Sequence, residues 1–271
     1  MQLSKEQQLA FDKYVQGENI FITGPGGSGK SALIKIINAH AHANYKDIQV
    51  TALTGCAAVL LNCKAKTLHS WAGVGLGVGT TEQLITKIKK NKFAKAIWKG
   101  TDVLVVDEVS MLSLKLFDNL NAIGKAIRNN YKPFGGIQLI FSGDFFQLPP
   151  VGDKDDPDTQ RFCFESEDWN TIFHPSSQIQ LIKIFRQTDE TYFTILNQIR
   201  EGKIKRKAND LLTGYVGREF DPSLIIEPTK LFPTRKKVEN INNNKMSSLN
   251  GEEREYVIKY VMDSEMTKRK R

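Results

Sequence analysis

Cysteine is scarce in this chain. Cys56, Cys63 and Cys163 are three in 271 residues, too few and too scattered for a disulfide framework or a four-ligand zinc site. Long apolar runs are missing too: no stretch approaches the roughly 18 residues that a transmembrane helix needs. The start, Met1-Gln2-Leu3-Ser4-Lys5-Glu6, has no apolar signal-peptide core. Acidic residues fall short of basic ones, 30 against 38, for a balance of +8. These absences predict a soluble, intracellular protein of a reducing compartment, with no membrane partner and with an anionic partner, nucleic acid before lipid. With 40% hydrophobic and 25% charged residues, the chain can build a core and is not disordered as a whole.

What is present alternates between two periods. Asn19 to Thr23 is an apolar run that stops at Gly24, and helical spacing follows from Ser31 to about Asn44. Ile48 to Leu53 reads as a strand and Gly55 to Leu61 as a short helix. Val103 to Val106 is apolar on both faces, Leu114 to Arg128 is helical, and Ile137 to Phe141 is a further strand. Strand and helix alternating at this spacing predict an α/β fold with a parallel sheet covered by helices. Between Trp71 and Thr101 the pattern breaks. Glycine stands at every second position from Gly73 to Gly79, and Gln83 to Gly100 holds six lysines and no acid. This segment, about 73–100, is expected to be an insertion: a flexible loop, then one or two basic helices. A second α/β section is expected from Ile182, with a helix over about 189–201, a strand at Thr229 to Phe232 and a helix over about 235–249. Lys268 to Arg271 is a basic tail, either a solvated terminus or a nuclear address.

Gly24-Pro25-Gly26-Gly27-Ser28-Gly29-Lys30-Ser31 fits the phosphate-binding loop G-x-x-x-x-G-K-S/T, between a strand and a helix as the motif requires. Its glycines let backbone N–H groups curl around a phosphate, and the helix N-terminus adds partial positive charge. Lys30 would reach the β- and γ-phosphates of ATP, and Ser31 would ligate Mg²⁺. The strand ending in Asp107-Glu108 supplies the complement: Asp107 for Mg²⁺ and Glu108 to polarise the attacking water. Gln147, at the end of a third strand, would lie within reach of the γ-phosphate. His69, Trp71, Phe145 and Phe146 lie in or near loops, and the lysines from Lys87 to Lys99 are close in sequence. A basic groove with aromatic faces would suit single-stranded DNA. Trp71 and Phe146 read equally as core residues, and the lysine run equally as a solvated helix face.

Several blocks together resemble the Pif-type (petite integration frequency) superfamily 1 DNA helicases. They are Leu3-Ser4-Lys5-Glu6-Gln7-Gln8, the phosphate loop, Thr54-Gly55-Cys56-Ala57-Ala58, Lys66 to Gly73, Asp107 to Leu112, Pro133 to Val151, Phe185-Arg186-Gln187 and Leu196 to Gly202. The Pro133 to Val151 block is the most specific, and the resemblance covers about residues 3–250. It implies a motor of two RecA-like P-loop NTPase domains with ATP between them. The first is expected over 1–181, with 73–100 as a small basic wedge, and a partial second over 182–271. Such motors couple ATP hydrolysis to 5′–3′ movement on single-stranded DNA and to unwinding at duplex junctions, in DNA repair, recombination and telomere maintenance. Carried over, Gln8 would contact adenine and Arg186 would bring a positive charge to the phosphates from the second domain. Thr54, Gly55, His69, Ser70, Trp71 and Phe145 would lie along DNA. A nuclear, mitochondrial or virus-encoded protein is implied.

Two blocks of that family have no counterpart: the His-Lys-Ser-Gln-Gly-like and Ala-Leu-Ser-Arg-like motifs of the second domain, the latter carrying a second arginine finger. Leu53 also stands where the family has a small residue or proline. Two function classes therefore stand side by side. One is an ATP-driven helicase, here truncated. The other is a nucleotide- and DNA-binding module that does not unwind alone, or does so only with a partner chain supplying the missing motifs.

Overall fold

A computed structural model describes residues 3–218, 229–252 and 254–257. It divides into two compact units, one up to Gly214 and one from Tyr215.

The first unit is built on six parallel strands. In chain order its elements are α1 (Lys5–Val15), β1 (Ile20–Thr23), α2 (Lys30–Ala43), β2 (Ile48–Ala52), α3 (Gly55–Leu61), β3 (Lys66–Thr67) and α4 (Leu68–Ala72). Then come α5 (Thr81–Lys90), α6 (Lys92–Gly100), β4 (Val103–Asp107), α7 (Leu114–Arg128), β5 (Gln138–Gly143), α8 (Trp169–Ile172), β6 (Gln178–Gln180), α9 (Glu190–Arg200) and α10 (Arg206–Thr213). The sheet order is β3-β2-β4-β5-β1-β6. In register, Phe141 stands between Phe21 on one side and Val106 on the other. Successive residues of β4 feed opposite layers. Leu104 and Val106 enter a core with Phe117, Phe141 and Trp169. Val103 and Val105 enter another with Ile20, Leu33 and Ile37. This is the period-two alternation of a strand buried on both faces, and it explains why β4 is apolar at every position before Asp107.

Short polar signals set the helix ends. Ser4 caps α1 in a capping box closed by Gln7. Thr54 caps α3 by accepting from the Ala57 N–H at 3.2 Å. Ser113 caps α7, and Asn129 ends it in the left-handed region at φ 52°.

The segment over 73–100 folds as two helices after a run of turns. Gly73, Gly75, Gly77 and Gly79 all have positive φ, so every second residue takes a backbone conformation that side chains disfavour. Leu84, Ile88, Ala94 and Trp98 turn inward, and the lysines at 89, 90, 92 and 99 face solvent. Lys87 bends back to donate to the Val74 carbonyl at 2.9 Å.

Three expectations need correction. Residues 229–232 form no strand; a strand without a hydrogen-bonded neighbour has little stability of its own. After β6 the described residues are helical or irregular, with α9 and α10 in the first unit and α11 (Arg235–Ser247) in the second. β6 was not expected as a strand, because only Ile179 of its three residues is buried. The basic tail lies outside the described residues.

Gly124, inside α7, tests the packing. A Cβ there would lie 2.5 Å from the Phe134 carbonyl carbon and 2.6 Å from its oxygen. Helix propensity alone makes Gly→Ala stabilising by about 1 kcal/mol. Overpacking against backbone costs about 1–3 kcal/mol or more. Gly124→Ala is therefore expected to lower the midpoint of urea unfolding, and a raised midpoint would contradict this packing.

Candidate active site

The three central strands deliver their C-terminal ends to one edge of the sheet, and the loops leaving that edge carry the polar residues. The phosphate loop joins β1 to α2. Gly29, at φ 87°, is the residue before the helix, so the first N–H groups of α2 open toward the loop. Gly24, Gly27 and Gly29 all have positive φ. A Cβ at Gly27 would lie 2.6 Å from the Arg186 Cβ, and one at Gly29 would collide with the Gln7 amide. The loop is therefore covered by neighbours that only glycine admits. Ser28 is buried, and its Oγ has no hydrogen-bond partner among the described residues.

Lys30 donates to the Gly24 carbonyl at 2.6 Å and the Pro25 carbonyl at 3.1 Å, spanning its own loop. Burial pushes its ammonium below the ordinary lysine range, while Asp144, Asp107 and Glu108 pull it back up. Ser31 is exposed on the first turn of α2. Asp107, the last residue of β4, is buried, and that burial raises its carboxyl above the usual range. Glu108 follows at φ 58°, ψ 41°, an unusual conformation for a glutamate that turns the chain sharply at the sheet edge. Burial raises its pKa too, assisted by the Asp107 charge. A cleft of about 380 Å³ is bounded by the phosphate loop, Asp107, Glu108, Gln147, Phe185 and Arg186. Lys30, Ser31, Asp107, Glu108, Gln147 and Arg186 thus meet at one place, although they are scattered over more than half the chain.

Arg186 is exposed and lies in the same compact unit as the loop. Phe185 N–H donates to the Gly27 carbonyl at 2.9 Å, which fixes this strand-to-helix connection over the loop. Gln147 is exposed, and its amide donates to Asp144 at 3.2 Å.

The glutamine expected at adenine, Gln8, does not face the phosphate loop. Gln8 is exposed and donates to Asp12 one turn on, at 2.7 Å. Gln7 is fully buried, closes the capping box by accepting from Ser4 N–H at 3.0 Å, and points its Nε2 at the Gly29 carbonyl, 3.4 Å away. The two neighbours lie about 100° apart around the helix, so only one can face the loop.

One of the residues expected along DNA, Trp71, also needs correction, and Phe145 turns partly inward. Trp71 is fully buried against Trp98, with ring centroids 4.4 Å apart, so it has no free face for a base. Phe145 packs onto the core, 5.4 Å from Phe21 and 4.6 Å from Phe164. Trp71 is a large aromatic next to a strand whose burial outweighs solvent exposure, and Phe145 is only partly buried. Phe146 is the aromatic left outside, 60% exposed. Thr54, Gly55, His69 and Ser70 lie at or near the ends of β2 and β3, at the edge that carries the cleft. Ser70 and Gly55 are exposed, and burial lowers the pKa of His69. Arg200 and Asp144 are the site-adjacent pair that sequence reading missed; the Arg200-Glu201-Gly202 run carried no sign of a partner 56 positions away.

Comparison with known proteins agrees with this architecture. The family model of PIF1-like helicases matches residues 2–210. The chain is 41% identical over 253 residues to the ATP-dependent DNA helicase RRM3 of Saccharomyces cerevisiae, covering 92% of this chain and 34% of that protein. It is 43% identical over 241 residues to the ATP-dependent DNA helicase PIF1 of Emericella nidulans, covering 88% and 32%. The crystal structure of Pif1 helicase from Candida albicans superposes with a TM-score of 0.82 at 38% identity, over 93% of this chain and 56% of that one. A Bacteroides Pif1 in complex with ADP-AlF3 and single-stranded DNA gives 0.76 at 28%, over 93% and 58%. The chain spans about a third of the length of these curated relatives. With the loop, the Asp-Glu strand end and the RecA-like sheet all in place, the chain belongs to the PIF1-like helicase family.

Proposed function

We propose that this chain carries the ATP-hydrolysing, single-strand-binding part of a DNA helicase motor. The convergence of Lys30, Asp107, Glu108 and Gln147 on one cleft beside the phosphate loop is the observation that supports it. The loop N–H groups and Lys30 would take the β- and γ-phosphates, with Lys30 releasing the Gly24 and Pro25 carbonyls to do so. Glu108, turned into the cleft edge, would accept a proton from the attacking water. Gln147 and Arg186 would meet the γ-phosphate. Gln7 and Phe185, both pressed on Gly29, would border the base. Asp107 and the Ser31 hydroxyl are hard oxygen donors beside the loop, a set that fits Mg²⁺. When bound, Mg²⁺ would neutralise charge on the phosphates.

Single-stranded DNA would follow Thr54, Gly55, His69 and Ser70 with 5′–3′ polarity, and the lysines of α5 and α6 would meet the duplex junction. We further propose that the first RecA-like domain ends near residue 181, after β6. Work in DNA repair, recombination and telomere maintenance, in a nucleus, a mitochondrion or a virus-infected cell, goes with this reading. One observation favours a second reading. The described residues hold a single sheet, whereas unwinding needs two domains closing on ATP. The described residues would then bind nucleotide and DNA, with unwinding dependent on a second sheet domain beyond them. An ATPase assay with and without single-stranded DNA tests the main reading. DNA-stimulated turnover is expected, and a chain that neither binds nor hydrolyses ATP would contradict it.

Three further outcomes are expected. Glu108→Gln should keep nucleotide binding and lose about 10²–10⁴ in hydrolysis rate, since an amide cannot take the proton. The base must be ionised and its pKa is raised. Hydrolysis by the parent should therefore fall on acidification at a pH above the ordinary glutamate range; a flat profile through that region would contradict the role. Next, Gln7→Ala should weaken ATP binding and lower the melting temperature, while Gln8→Ala leaves both near the parent; the reverse order would contradict the assignment. Finally, affinity for single-stranded DNA should fall with salt at a log–log slope of about −0.7 per phosphate contacted. Fluorescence anisotropy between low and moderate salt measures it, and an unchanged affinity would count against a basic groove.

A further inference from the structure

Asp144 stands just after β5, only 1% exposed, and its carboxylate is saturated. Arg200, the last residue of α9, donates to it through Nε and Nη2, each at 2.6 Å. Gln147 Nε2 donates to the same Oδ2 at 3.2 Å, and Phe146 N–H to Oδ1 at 3.3 Å. Four donors fill the acceptor sites of one carboxylate. The guanidinium lies 4.4 Å from the centre of the Phe146 ring, so it is held by a flat face as well as by the fork.

We propose that Arg200 is a positioning residue for nucleotide sensing: through Asp144 it sets where Gln147 waits for the γ-phosphate. The inference rests on the reading of Gln147 as the γ-phosphate sensor. Two physical consequences follow from the geometry. Gln147 hangs from a carboxylate whose orientation is fixed by a two-point bond, so the amide starts from one defined place beside the cleft. And when Gln147 leaves for a phosphate, Asp144 still keeps both Arg200 bonds, so its charge stays compensated. Without the guanidinium, a buried anion would face a site that must accept a triphosphate. It would also draw on Lys30, on which Asp144 already acts more strongly than any other carboxylate. The bond further ties the end of α9 to the edge of the sheet, so the sensor and the helix cannot move independently.

The test is equilibrium binding of fluorescent ADP and of a fluorescent non-hydrolysable ATP analogue to the full chain. A hydrogen bond to a charged phosphate predicts that the parent prefers the ATP analogue by about tenfold or more. Gln147→Ala and Arg200→Ala should each lower that preference by about tenfold, because both lose the same contact. The double variant should lose no more of that preference than either single variant. Arg200→Lys, which keeps the charge and loses the fork, should recover part of the preference; it also serves if Arg200→Ala does not fold. Loss of preference in Gln147→Ala with the parental preference kept in the Arg200 variants overturns this inference alone. Parental preference in Gln147→Ala overturns the sensor reading and this inference with it.

Discussion

Everything at the cleft depends on the parallel arrangement of β1, β4 and β5. Because all three run the same way, their chains leave the sheet at one edge within a few residues of the Phe21, Phe141 and Val106 level. The loop after β1 brings backbone N–H groups and Lys30. The end of β4 brings two carboxylates, and the end of β5 brings Asp144 and Gln147. An antiparallel partner in any of these places would send its polar end to the far side. The apolar cores on both faces hold this register: a slip of one residue would exchange Val103 and Val105 with Leu104 and Val106 between layers.

The edge gathers charge of both signs. Asp107, Glu108 and Asp144 face Lys30, Arg186 and Arg200 around a partly desolvated space. Burial raises Asp107 and, with the Asp107 charge, Glu108, and it lowers Lys30, so each group is drawn toward its neutral form. Asp144 is the exception: burial pushes it up, but the bonds from Arg200 and Gln147 outweigh burial and hold it below the usual carboxylate range. The site therefore holds one carboxylate favoured as the anion and two drawn toward the neutral form. Division of labour by environment is what the proposed hydrolysis would need.

Much of this was legible in the residues. The phosphate loop, the strand ending in Asp107-Glu108 and the helix over 114–128 follow from local pattern, because each is dictated by neighbours in sequence. The choice between Gln7 and Gln8 was also local, since the Ser4-x-x-Gln7 capping box marks which glutamine faces inward, but adjacency in the motif obscured it. Trp71 and Phe145 were illegible for a different reason. An aromatic beside a strand suits a base or a core equally, and only the packing around Trp98 and Phe164 decides. β6 has one inward residue, too few for a period. Arg200 meets Asp144 across 56 residues, and nothing local at either position announces the other.

Hydrogen–deuterium exchange on addition of ATP and Mg²⁺ tests the central claim that these scattered segments form one nucleotide site. The account predicts slowed exchange together in residues 24–32, 107–110, 144–147 and 183–187, with α5 and α6 unchanged. Protection absent from the phosphate loop, or present there without the ends of β4 and β5, would contradict it.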